Sequence, residues 1–529
     1  MRAVADTDLV IGYDFGTSSV KAAIFGPNGA VHAVSACSYP VHFPQSGWVE
    51  QNPEDWWRAM SVATRQLLEQ CTWSKGRIAA IAMSAQMCGV VPVDREGQSL
   101  SNCLTWMDTR SADIARELMG GIVSVHGYSA TKLAYWLWLT GGAPSLSGKD
   151  PISKYLWLKR NRPEIWGRVH KLLDVKDYLL HRCTGRFAAT FDNAHLTWLF
   201  DARPGKKCWS KSLLRRAGLD GALLPEVVQA TDIVGALTPA AAADLGLEAG
   251  IPVAGGLGDV SAAAVGAGNP ADGFLHLYIG TSAWFGVVQG KSRVDPLTAV
   301  GSVCFADGRD YLLIATQECA GASMRWGMDA LGFEPDAFHA FEGIAAGAER
   351  KHDMAMFFPW FAGERVPIDD ERIRGGFGNL SLSTDRAQIA FALYEGVALN
   401  ARWAMRPFDR LSGRGGQTVR MVGGGARSRF WCQIFADVLG RPVQRVEAPE
   451  LCGARGSAMA AAVAAGWYRD LRSAAVMTHE GETLHPNPAA SAFHSERFEK
   501  FARFYSRVRP WYWTRGTKNN PARAGRSAP

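Results

Sequence analysis

The chain contains one short pattern twice, with the two copies about half the sequence apart. The first copy reads Leu9-Val-Ile-Gly-Tyr-Asp-Phe-Gly-Thr-Ser18 and resumes as an apolar run over residues 20–25. The second reads Leu277-Tyr-Ile-Gly-Thr-Ser-Ala-Trp-Phe285. Each copy is typical of a β-hairpin, because a small polar turn separates two strand-like runs. The repeat therefore predicts a duplicated fold with one such hairpin in each half.

The two hairpin tips carry groups that suit a phosphate chain. Backbone N–H groups in a tight turn make a concave anion site, and hydroxyl groups add further donors. Asp14, at the end of the first run, is the candidate Mg²⁺ ligand, since Mg²⁺ keeps several waters and uses few carboxylates. One tip alone is an ordinary Gly-Ser turn, whereas two matched tips favour a nucleotide held between two halves. The candidate phosphate contacts are Gly16, Thr17, Ser18, Gly280 and Thr281.

The composition indicates a large globular protein of at least two domains. The chain has 529 residues, 47% hydrophobic content and a formal charge of +7. Several of its positive charges lie after residue 514, beside Pro and Gly. The rest of the chain is therefore nearly neutral, and no nucleic-acid partner is expected.

Cysteine use and hydropathy bear on the location of the protein. The ten cysteines are scattered without a C-x-x-C pair or a metal-binding spacing, which indicates reduced thiols. The first eight residues lack the apolar core of a signal peptide, and no apolar run is long enough to cross a membrane. We therefore expect a cytoplasmic protein with no membrane partner. Separately, a homodimer is the expected assembly.

The first half alternates strand-like and helix-like runs, which is typical of an α/β fold. Asn52 and Pro53 predict the start of a helix that runs to about Gln70. Residues 151–181 have a helical period. The predicted strands cover residues 9–13, 20–25, 31–39 and 78–84.

The second half repeats this plan. Its character changes over residues 251–268, where a strand leads into a glycine turn and a helix of small residues. The predicted units are therefore an N-terminal domain (8–252), a C-terminal domain (253–505) and a basic tail without fixed structure (506–529). The predicted strands of the second half cover residues 273–279, 284–288, 311–316 and 418–422.

Asp259 is the candidate general base. It follows a strand-like run and the turn Gly255-Gly-Leu-Gly258, so its carboxylate is expected at a strand end facing the cleft. An acid there can take the proton of an acceptor hydroxyl during phosphoryl transfer. The alternatives are a helix-capping aspartate and a dinucleotide-binding turn. The latter lacks its third glycine, at Ser261, and the acid expected about 20 residues later.

The glycines at Gly423-Gly-Gly-Ala426 follow a predicted strand and precede a helix, so a flat base can approach this backbone closely. Gly424, Gly425 and Ala426 are the candidate contacts, and a tight strand-to-helix turn is the alternative. The chain has no G-x-x-x-x-G-K-[ST], no H-R-D with D-F-G in protein-kinase order and no G-x-S-x-G. These absences exclude the P-loop kinases, the protein kinases and the hydrolases that use a nucleophile elbow.

In this order the motifs resemble those of the FGGY family of carbohydrate kinases, and within it the xylulokinase-like branch, over residues 9–505. Ile11-Gly-Tyr-Asp-Phe-Gly-Thr-Ser18 and Ile279-Gly-Thr-Ser282 are similar to the family's two phosphate motifs. Gly423-Gly-Gly-Ala-Arg-Ser428 resembles its adenosine motif. Lys154-Tyr-Leu-Trp-Leu-Lys-Arg-Asn161 and Gly375-Gly-Phe-Gly-Asn-Leu380 resemble the cores of its two signatures.

The resemblance implies an α/β class protein with a duplicated actin-like (ribonuclease-H-like) ATPase fold, whose two domains leave a cleft between them. It implies ATP and Mg²⁺, with Asp259 as the base and Asp14 as a second catalytic acid and metal ligand. The expected nucleotide contacts also include Lys21 and Gly321. The implied sugar contacts are Gln86, Met87, Cys88, Trp106, Asp108, Arg110 and Asp259.

The chain departs from the family pattern at three places. Cys88 stands where xylulokinases generally carry a histidine, so a sugar hydrogen bond is replaced by a weak thiol donor. One buried hydrogen bond is worth about 1–3 kcal/mol, enough to change which sugar is preferred. Extra residues lie at 126–150, near the implied substrate pocket. Asn379 replaces a signature glycine, and asparagine also tolerates positive φ.

The function that these residues and the resemblance imply is an ATP-dependent sugar kinase, with D-xylulose as the first acceptor and D-xylulose 5-phosphate as the product. The alternative within this class is a kinase for another ketose or polyol, such as ribulose, erythritol or glycerol. The alternatives outside it are a sugar-sensing actin-like ATPase that transfers no phosphate, and a nucleotide-binding oxidoreductase. The expected partners are therefore a small sugar and ATP.

Overall fold

The computed structural model describes residues 8–71, 77–268 and 274–512. The strands of the first half are β1 (Leu9–Phe15), β2 (Ser19–Phe25), β3 (Val31–Ser38), β4 (Glu50–Gln51), β5 (Ile78–Ala85), β6 (Val91–Val93), β7 (Cys103–Leu104), β8 (Ser124–Val125), β9 (Tyr128–Ser129), β10 (Lys171–Leu173), β11 (Ala188–Thr190), β12 (Phe200–Asp201), β13 (Cys208–Trp209), β14 (Glu226–Val228), β15 (Ile233–Ala236), β16 (Pro252–Ala254) and β17 (Leu257–Gly258). Its helices are α1 (Pro53–Glu69), α2 (Ala112–Met119), α3 (Ala130–Thr140), α4 (Pro151–Asn161), α5 (Pro163–Trp166), α6 (Val175–Thr184), α7 (Phe191–Leu196), α8 (Lys211–Ala217), α9 (Pro239–Leu245) and α10 (Asp259–Gly266).

The second half continues the α/β plan. Its strands are β18 (Leu275–Ile279), β19 (Ala283–Gln289), β20 (Gly301–Cys304), β21 (Tyr311–Gln317), β22 (Met356–Phe358), β23 (Gly376–Gly378), β24 (Val419–Val422), β25 (Val443–Val446) and β26 (Glu480–Leu484). Its helices are α11 (Gly321–Ala330), α12 (Phe338–Ala346), α13 (Arg386–Ser412), α14 (Arg429–Leu439), α15 (Cys452–Ala464) and α16 (Pro488–Tyr512).

Two large sheets carry the same strand plan, one in each half. The first contains the path β3-β2-β1-β5-β16, and the second contains β21-β19-β18-β24-β25. In each path the first three strands pair with one another in antiparallel fashion, and the fourth and fifth strands then add in parallel. The shared order confirms the duplication that the repeated hairpin predicts.

The segments near the N-terminus fold as their local sequence predicts. β1 and β2 pair in an antiparallel hairpin around residues 16–18, with Asp14 opposite Lys21. β1 lies at the centre of its sheet and is almost entirely buried, which explains its nearly continuous apolar run. The side chain of Asn52 accepts the N–H of Glu54 and caps α1.

The two halves meet along α10 and α15. α15 comes from the second half of the chain, yet it packs on β1 of the first sheet, where Ser457 Oγ donates to Tyr13 O at 2.9 Å. It also packs on α10, where Cys452 Sγ donates to Ala263 O at 3.2 Å. Both helices are lined with buried alanines, whose small side chains allow close packing. This interface joins the two hairpins into one site.

The helical period of residues 151–181 does not correspond to helix throughout the segment. The segment divides into α4, α5, β10 and the first part of α6. α4 stops before Pro163 because proline disfavours the helical conformation of the preceding residue, and Arg162 has φ −134°. β10 forms because it pairs with β6, a partner distant in the sequence.

The predicted domain limits also change. β16 and β17 both pair with β5, so the first sheet continues beyond the predicted boundary between residues 252 and 253. We propose that the boundary lies between α10 and β18. α16 runs through Tyr512, whose hydroxyl donates to Arg374 O at 3.3 Å. Residues 506–512 therefore belong to α16, and the rest of the predicted tail, residues 513–529, is outside the described part of the chain.

Within residues 8–71, 77–268 and 274–512, no helix has the length and apolar character needed to cross a membrane. All ten cysteines carry free thiols. The expectation about a signal peptide rests mainly on residues 1–7, which are outside the described residues.

Candidate active site

Asp14 lies on β1, next to the turn of the first hairpin. Its Oδ1 accepts a hydrogen bond from Ser84 Oγ at 2.8 Å. Burial raises the pKa of this carboxyl, and the charge of Lys21 and the Ser84 hydrogen bond oppose that shift. Lys21 Nζ donates to Glu450 O, just before α15, at 3.3 Å. Asp14 and Lys21 therefore lie where the two halves meet.

The carboxylate of Asp14 packs directly on the start of α15. A Cβ placed on Gly453 would lie 2.3 Å from Asp14 Oδ2. Real Cβ atoms do not approach so closely, so a side chain at position 453 would displace the carboxylate. A glycine is therefore required here for Asp14 to keep its position.

The tip of the first hairpin is held by hydrogen bonds from two side chains elsewhere in the first domain. Gln51 Nε2 donates to Thr17 O at 2.7 Å, and Trp106 Nε1 donates to Thr17 Oγ1 at 3.2 Å. Gly16 N–H closes the turn on Ser19 O at 3.0 Å, while Ser18 is exposed. The candidate phosphate contact Thr17 is thus in direct contact with Trp106, a candidate sugar contact.

The second hairpin tip lies at the start of α11. Gly321 N–H donates to Gly280 O, and Ala320 N–H donates to Thr281 O, each at 2.9 Å. These bonds use the first N–H groups of α11, so the start of this helix contributes its partial positive charge rather than free donors. Gly280, Thr281 and Gly321 are therefore brought together in one place that favours anions.

The Gly423–Ala426 loop lies beside this second tip. Gly423 has φ +88°, and a Cβ there would lie 2.6 Å from Ile279 O, so the loop passes close to the end of β18. Gly424 is exposed, and no atom lies within 4 Å of a Cβ built on it. Ala426 is fully buried, and its carbonyl accepts Arg445 Nε at 3.1 Å. Ala426 therefore stabilises the turn, and Gly424 and Gly425 remain the candidate contacts for a nucleotide base.

Asp259 is the first residue of α10 and is partly exposed. Burial, and after it the negative charge of Asp14, raise the pKa of this carboxyl to about 7. Burial, and after it the negative charges of Asp14 and Asp259, raise the pKa of the Tyr278 hydroxyl on β18. Asp14, Asp259 and the second hairpin are therefore neighbours. A carboxylate with a pKa near 7 is well matched to general-base work at neutral pH.

The loop after β5 brings Gln86 and Met87 beside Asp259. Gln86 Nε2 donates to Gln51 Oε1 at 2.6 Å. Among the described residues, the buried Gln86 Oε1 has no hydrogen-bond partner, so it offers an acceptor to a hydroxyl. Met87 packs on the turn before Asp259, since a Cβ on Gly258 would lie 2.3 Å from its sulfur. We call residues 86–89 the acceptor loop.

Cys88 occupies a left-handed backbone position in this loop, with φ +64°. Asp174 holds that conformation, because its carboxylate accepts the N–H groups of Cys88 and Gly89 at 3.0 and 2.8 Å. Burial, and after it the charge of Asp150, raise the pKa of the Cys88 thiol well above its usual value. The thiol is therefore protonated at neutral pH and acts as a weak donor.

Lys154 supports the acceptor loop from α4. This lysine is fully buried, and its ammonium donates to three carbonyls: Cys88 O at 2.9 Å, Thr105 O at 2.7 Å and Lys149 O at 2.6 Å. All three of its N–H donors are therefore used. Burial lowers the pKa of the ammonium. Sequence reasoning missed this role; the only signal is a lysine inside an otherwise apolar helical run.

Asp108 and Arg110 form a closed ion pair. Arg110 Nη2 lies 2.7 Å from Asp108 Oδ2 and 2.7 Å from Glu50 Oε1. Its guanidinium stacks on Trp48, 3.7 Å from the ring centroid. Asp108 also accepts Val49 N–H at 2.7 Å. These partners occupy both side chains, so their geometry fits support of the Trp106 loop better than the predicted direct sugar contact.

The extra segment at 126–150 reaches the second domain. Lys149 Nζ lies 3.4 Å from Glu318 Oε2, and Arg365 Nε lies 3.4 Å from Glu318 Oε1. Glu364 fixes this group, since its carboxylate accepts the N–H groups of Glu318 and Arg365 at 3.1 and 2.8 Å. The charges of Arg365 and Asp150 also act on the Cys88 thiol. The segment thus closes one side of the acceptor region, which its sequence did not reveal.

The residues fit the nucleotide and metal that the predictions name. Gly424 leaves open space for a base, the two tips carry hydroxyl groups and turn backbone that suit phosphates, and the start of α11 adds a partial positive charge. In the described part of the chain, no cluster of three or more His, Cys, Asp or Glu side chains could hold a metal alone. Asp14 as a single carboxylate is consistent with Mg²⁺ bound mostly by phosphates and water.

The fold has two similar domains, each with a hairpin that suits phosphate, and Asp259 lies beside Asp14 and the acceptor loop. This arrangement defines a small-molecule kinase of the actin-like class. The chain belongs to the FGGY family of carbohydrate kinases. Residues 9–266 match the family's N-terminal domain, and residues 275–465 match its C-terminal domain. The predicted family, fold and ATP-dependent sugar kinase class are therefore confirmed.

Individual relatives are similar along their whole length. The xylulose kinase of Escherichia coli K12 is 29% identical over 511 residues, which cover 95% of this chain and 99% of that protein. The xylulose kinase of Bacillus subtilis 168 is 29% identical over 507 residues, with 94% and 97% covered. The crystal structure of xylulose kinase from Rhodospirillum rubrum matches with a TM-score of 0.80 at 27% identity, covering 95% of this chain and 99% of that one.

Proposed function

We propose that this protein transfers the γ-phosphoryl group of ATP to the terminal hydroxyl of D-xylulose and releases D-xylulose 5-phosphate. The observation that carries the proposal is the position of Asp259, a carboxyl with a pKa of about 7 between Asp14 and the acceptor loop. The similarity to two proteins named xylulose kinase supports the acceptor.

Each part of the site has a role in this reaction. Gly16, Thr17, Gly280, Thr281 and the start of α11 would bind the phosphates of ATP. Asp14 would hold Mg²⁺, which when bound offsets charge on the phosphate oxygens. Asp259 accepts the hydroxyl proton as the acceptor oxygen bonds to the γ-phosphorus and the bond to the ADP oxygen breaks.

The acceptor side supplies orientation and excludes water. The free Oε1 of Gln86 accepts a sugar hydroxyl, and the Lys149–Glu318–Arg365 group closes the edge of the pocket between the domains. A closed pocket protects the phosphoryl group from hydrolysis and positions the acceptor for in-line attack.

An acceptor panel tests the proposal. Purified protein with ATP and Mg²⁺ is assayed for ADP release with D-xylulose, ribulose, erythritol and glycerol. We expect D-xylulose to give the highest kcat/KM. A higher value for another acceptor would correct the substrate but keep the kinase, whereas ATP hydrolysis that no sugar stimulates would favour the sugar-sensing ATPase.

The Cys88→His variant tests whether the acceptor loop sets the choice of sugar. Histidine restores a full hydrogen-bond donor or acceptor, worth about 1–3 kcal/mol when buried, so we expect kcat/KM for D-xylulose to rise about tenfold. The measurement compares both proteins on the same panel, with Cys37→His on the first sheet as the control. An unchanged preference would remove Cys88 from the specificity-determining residues.

We also propose a cytoplasmic location, because the co-substrate is ATP and all ten thiols are free. The homodimer stays a prediction, and size-exclusion chromatography with light scattering measures it directly.

A further inference from the structure

Three buried polar residues connect the acceptor loop with the turn that precedes Asp259. Asp174, Asp192 and Asn193 are 8%, 0% and 2% exposed, and none belongs to the predicted site. We call them the buried bridge. Buried polar groups persist only where hydrogen bonds satisfy them, so each must have a structural or functional reason.

One end of the bridge holds the acceptor loop. Asp174 accepts the N–H groups of Cys88 and Gly89, and it also accepts Val175 N–H at 2.7 Å as part of the cap of α6. Two of its four bonds therefore fix the left-handed turn at Cys88 to a rigid helix end.

The other end holds the turn that carries Asp259. Asp192 Oδ2 accepts the N–H of Gly258, the residue immediately before the candidate base, at 2.8 Å. Thr190 Oγ1 donates to Asp192 Oδ1 at 2.5 Å and fixes the carboxylate from the other side. The backbone that positions the base therefore depends on one buried carboxylate.

Asn193 joins the two ends. Its Nδ2 donates to Asp174 Oδ2 at 2.8 Å, and its backbone N–H donates to Asp192 Oδ1 at 3.0 Å. A continuous path of hydrogen bonds thus runs from Cys88 through Asp174, Asn193 and Asp192 to the turn before Asp259. None of these side chains needs to touch the sugar to control its distance from the base.

We propose that Asp192 and Asn193 are positioning residues that hold Asp259 in register with the acceptor loop. The inference rests on the proposed function, in which Asp259 takes the acceptor proton. A displacement of about 1 Å between a base and its substrate can cost about 100-fold in rate. The bridge is therefore expected to act on acceptor use and turnover and to leave ATP binding alone.

The test compares three bridge variants with D-xylulose as acceptor. Asp192→Ala removes the acceptor of Gly258 N–H, so we expect kcat to fall about 100-fold while KM for ATP stays within about twofold. Asp192→Asn keeps one acceptor oxygen but turns its amide N–H group towards one of the two backbone donors, so kcat is expected between the values of wild type and Asp192→Ala. Asn193→Ala cuts the link to Asp174, and we expect KM for D-xylulose to rise about tenfold.

Asp437→Ala is the matched control. Asp437 is also buried and also accepts a backbone N–H, that of Asn487 at 2.7 Å, but it lies on α14 in the second domain. We expect its kinetic constants to equal those of wild type. If the bridge variants and Asp437→Ala all change KM for ATP and KM for D-xylulose to the same extent, the effect is a general one on folding and the proposal is overturned.

The outcomes also separate this inference from the proposed function. Wild-type protein that phosphorylates no sugar contradicts the proposed function. Active wild-type protein with normal constants in Asp192→Ala and Asn193→Ala contradicts the bridge alone. If Asp192→Ala does not fold, Asn193→Ala decides: a raised KM for D-xylulose with unchanged KM for ATP supports the bridge, and unchanged constants overturn it.

Discussion

The Asp259→Asn variant is expected to lose turnover by about 1,000-fold or more, because a general base contributes about 100- to 10,000-fold and asparagine cannot accept the proton. The side chain keeps its size, and the hydrogen bond that Asp259 Oδ1 accepts from Val260 N–H at 2.8 Å can also be accepted by the amide oxygen. The fold and ATP binding are therefore expected to remain. The measurements are sugar-stimulated ADP release and a titration of ATP affinity.

Asp220→Asn is the control for this substitution. Asp220 caps a short turn on the surface of the same domain, where its Oδ1 accepts Ala222 N–H at 2.9 Å. We expect near-normal turnover in that variant. Turnover of Asp259→Asn within about tenfold of wild type would contradict Asp259 as the base.

The Lys154→Met variant is expected to lose both stability and acceptor binding. Methionine fills a similar volume but removes the lysine donor from the carbonyls of Cys88, Thr105 and Lys149, of which Thr105 O keeps Asp108 N–H at 3.0 Å. Each unsatisfied buried acceptor costs about 1–3 kcal/mol, and removal of the buried charge offsets part of that, so we expect the free energy of unfolding to fall by about 3 kcal/mol. Urea unfolding measures this loss, and KM for the sugar is expected to rise.

Lys159→Met on the same helix is the matched control. Lys159 is exposed, and its ammonium donates to Gly218 O at 2.6 Å. A surface substitution of this kind changes stability by about 0.5 kcal/mol or less. Equal losses in the two variants would contradict the view that Lys154 organises the acceptor loop.

The elements that the sequence predicts well are those with local chemistry. The hairpins at residues 9–25 and 275–289 form because a small polar turn separates two apolar runs, and both ends of that pattern are adjacent in the chain. The Asn52-Pro53 start of α1 is equally local. Asn379 also adopts positive φ, +60°, as its glycine-like place in the signature predicts.

The elements that the sequence does not predict depend on distant partners. β10 is a strand only because β6 offers it an edge, so helical period misled the prediction for residues 151–181. The same holds for the site. The role of Asp192 depends on its hydrogen bond with Gly258, and that of Glu318 on its ion pair with Lys149. No local sequence pattern connects these partners. The left-handed turn at Cys88 likewise follows from Asp174 and Lys154, not from its neighbours in the chain.

Analysis of the reaction product tests the central claim most directly. Wild-type protein is incubated with ATP, Mg²⁺ and D-xylulose, and the phosphorus-containing products are resolved by ³¹P NMR. The account predicts ADP and one sugar phosphate in equal amounts, with the phosphorus coupled to the two protons of the terminal carbon. ADP with free inorganic phosphate and no sugar phosphate would contradict it.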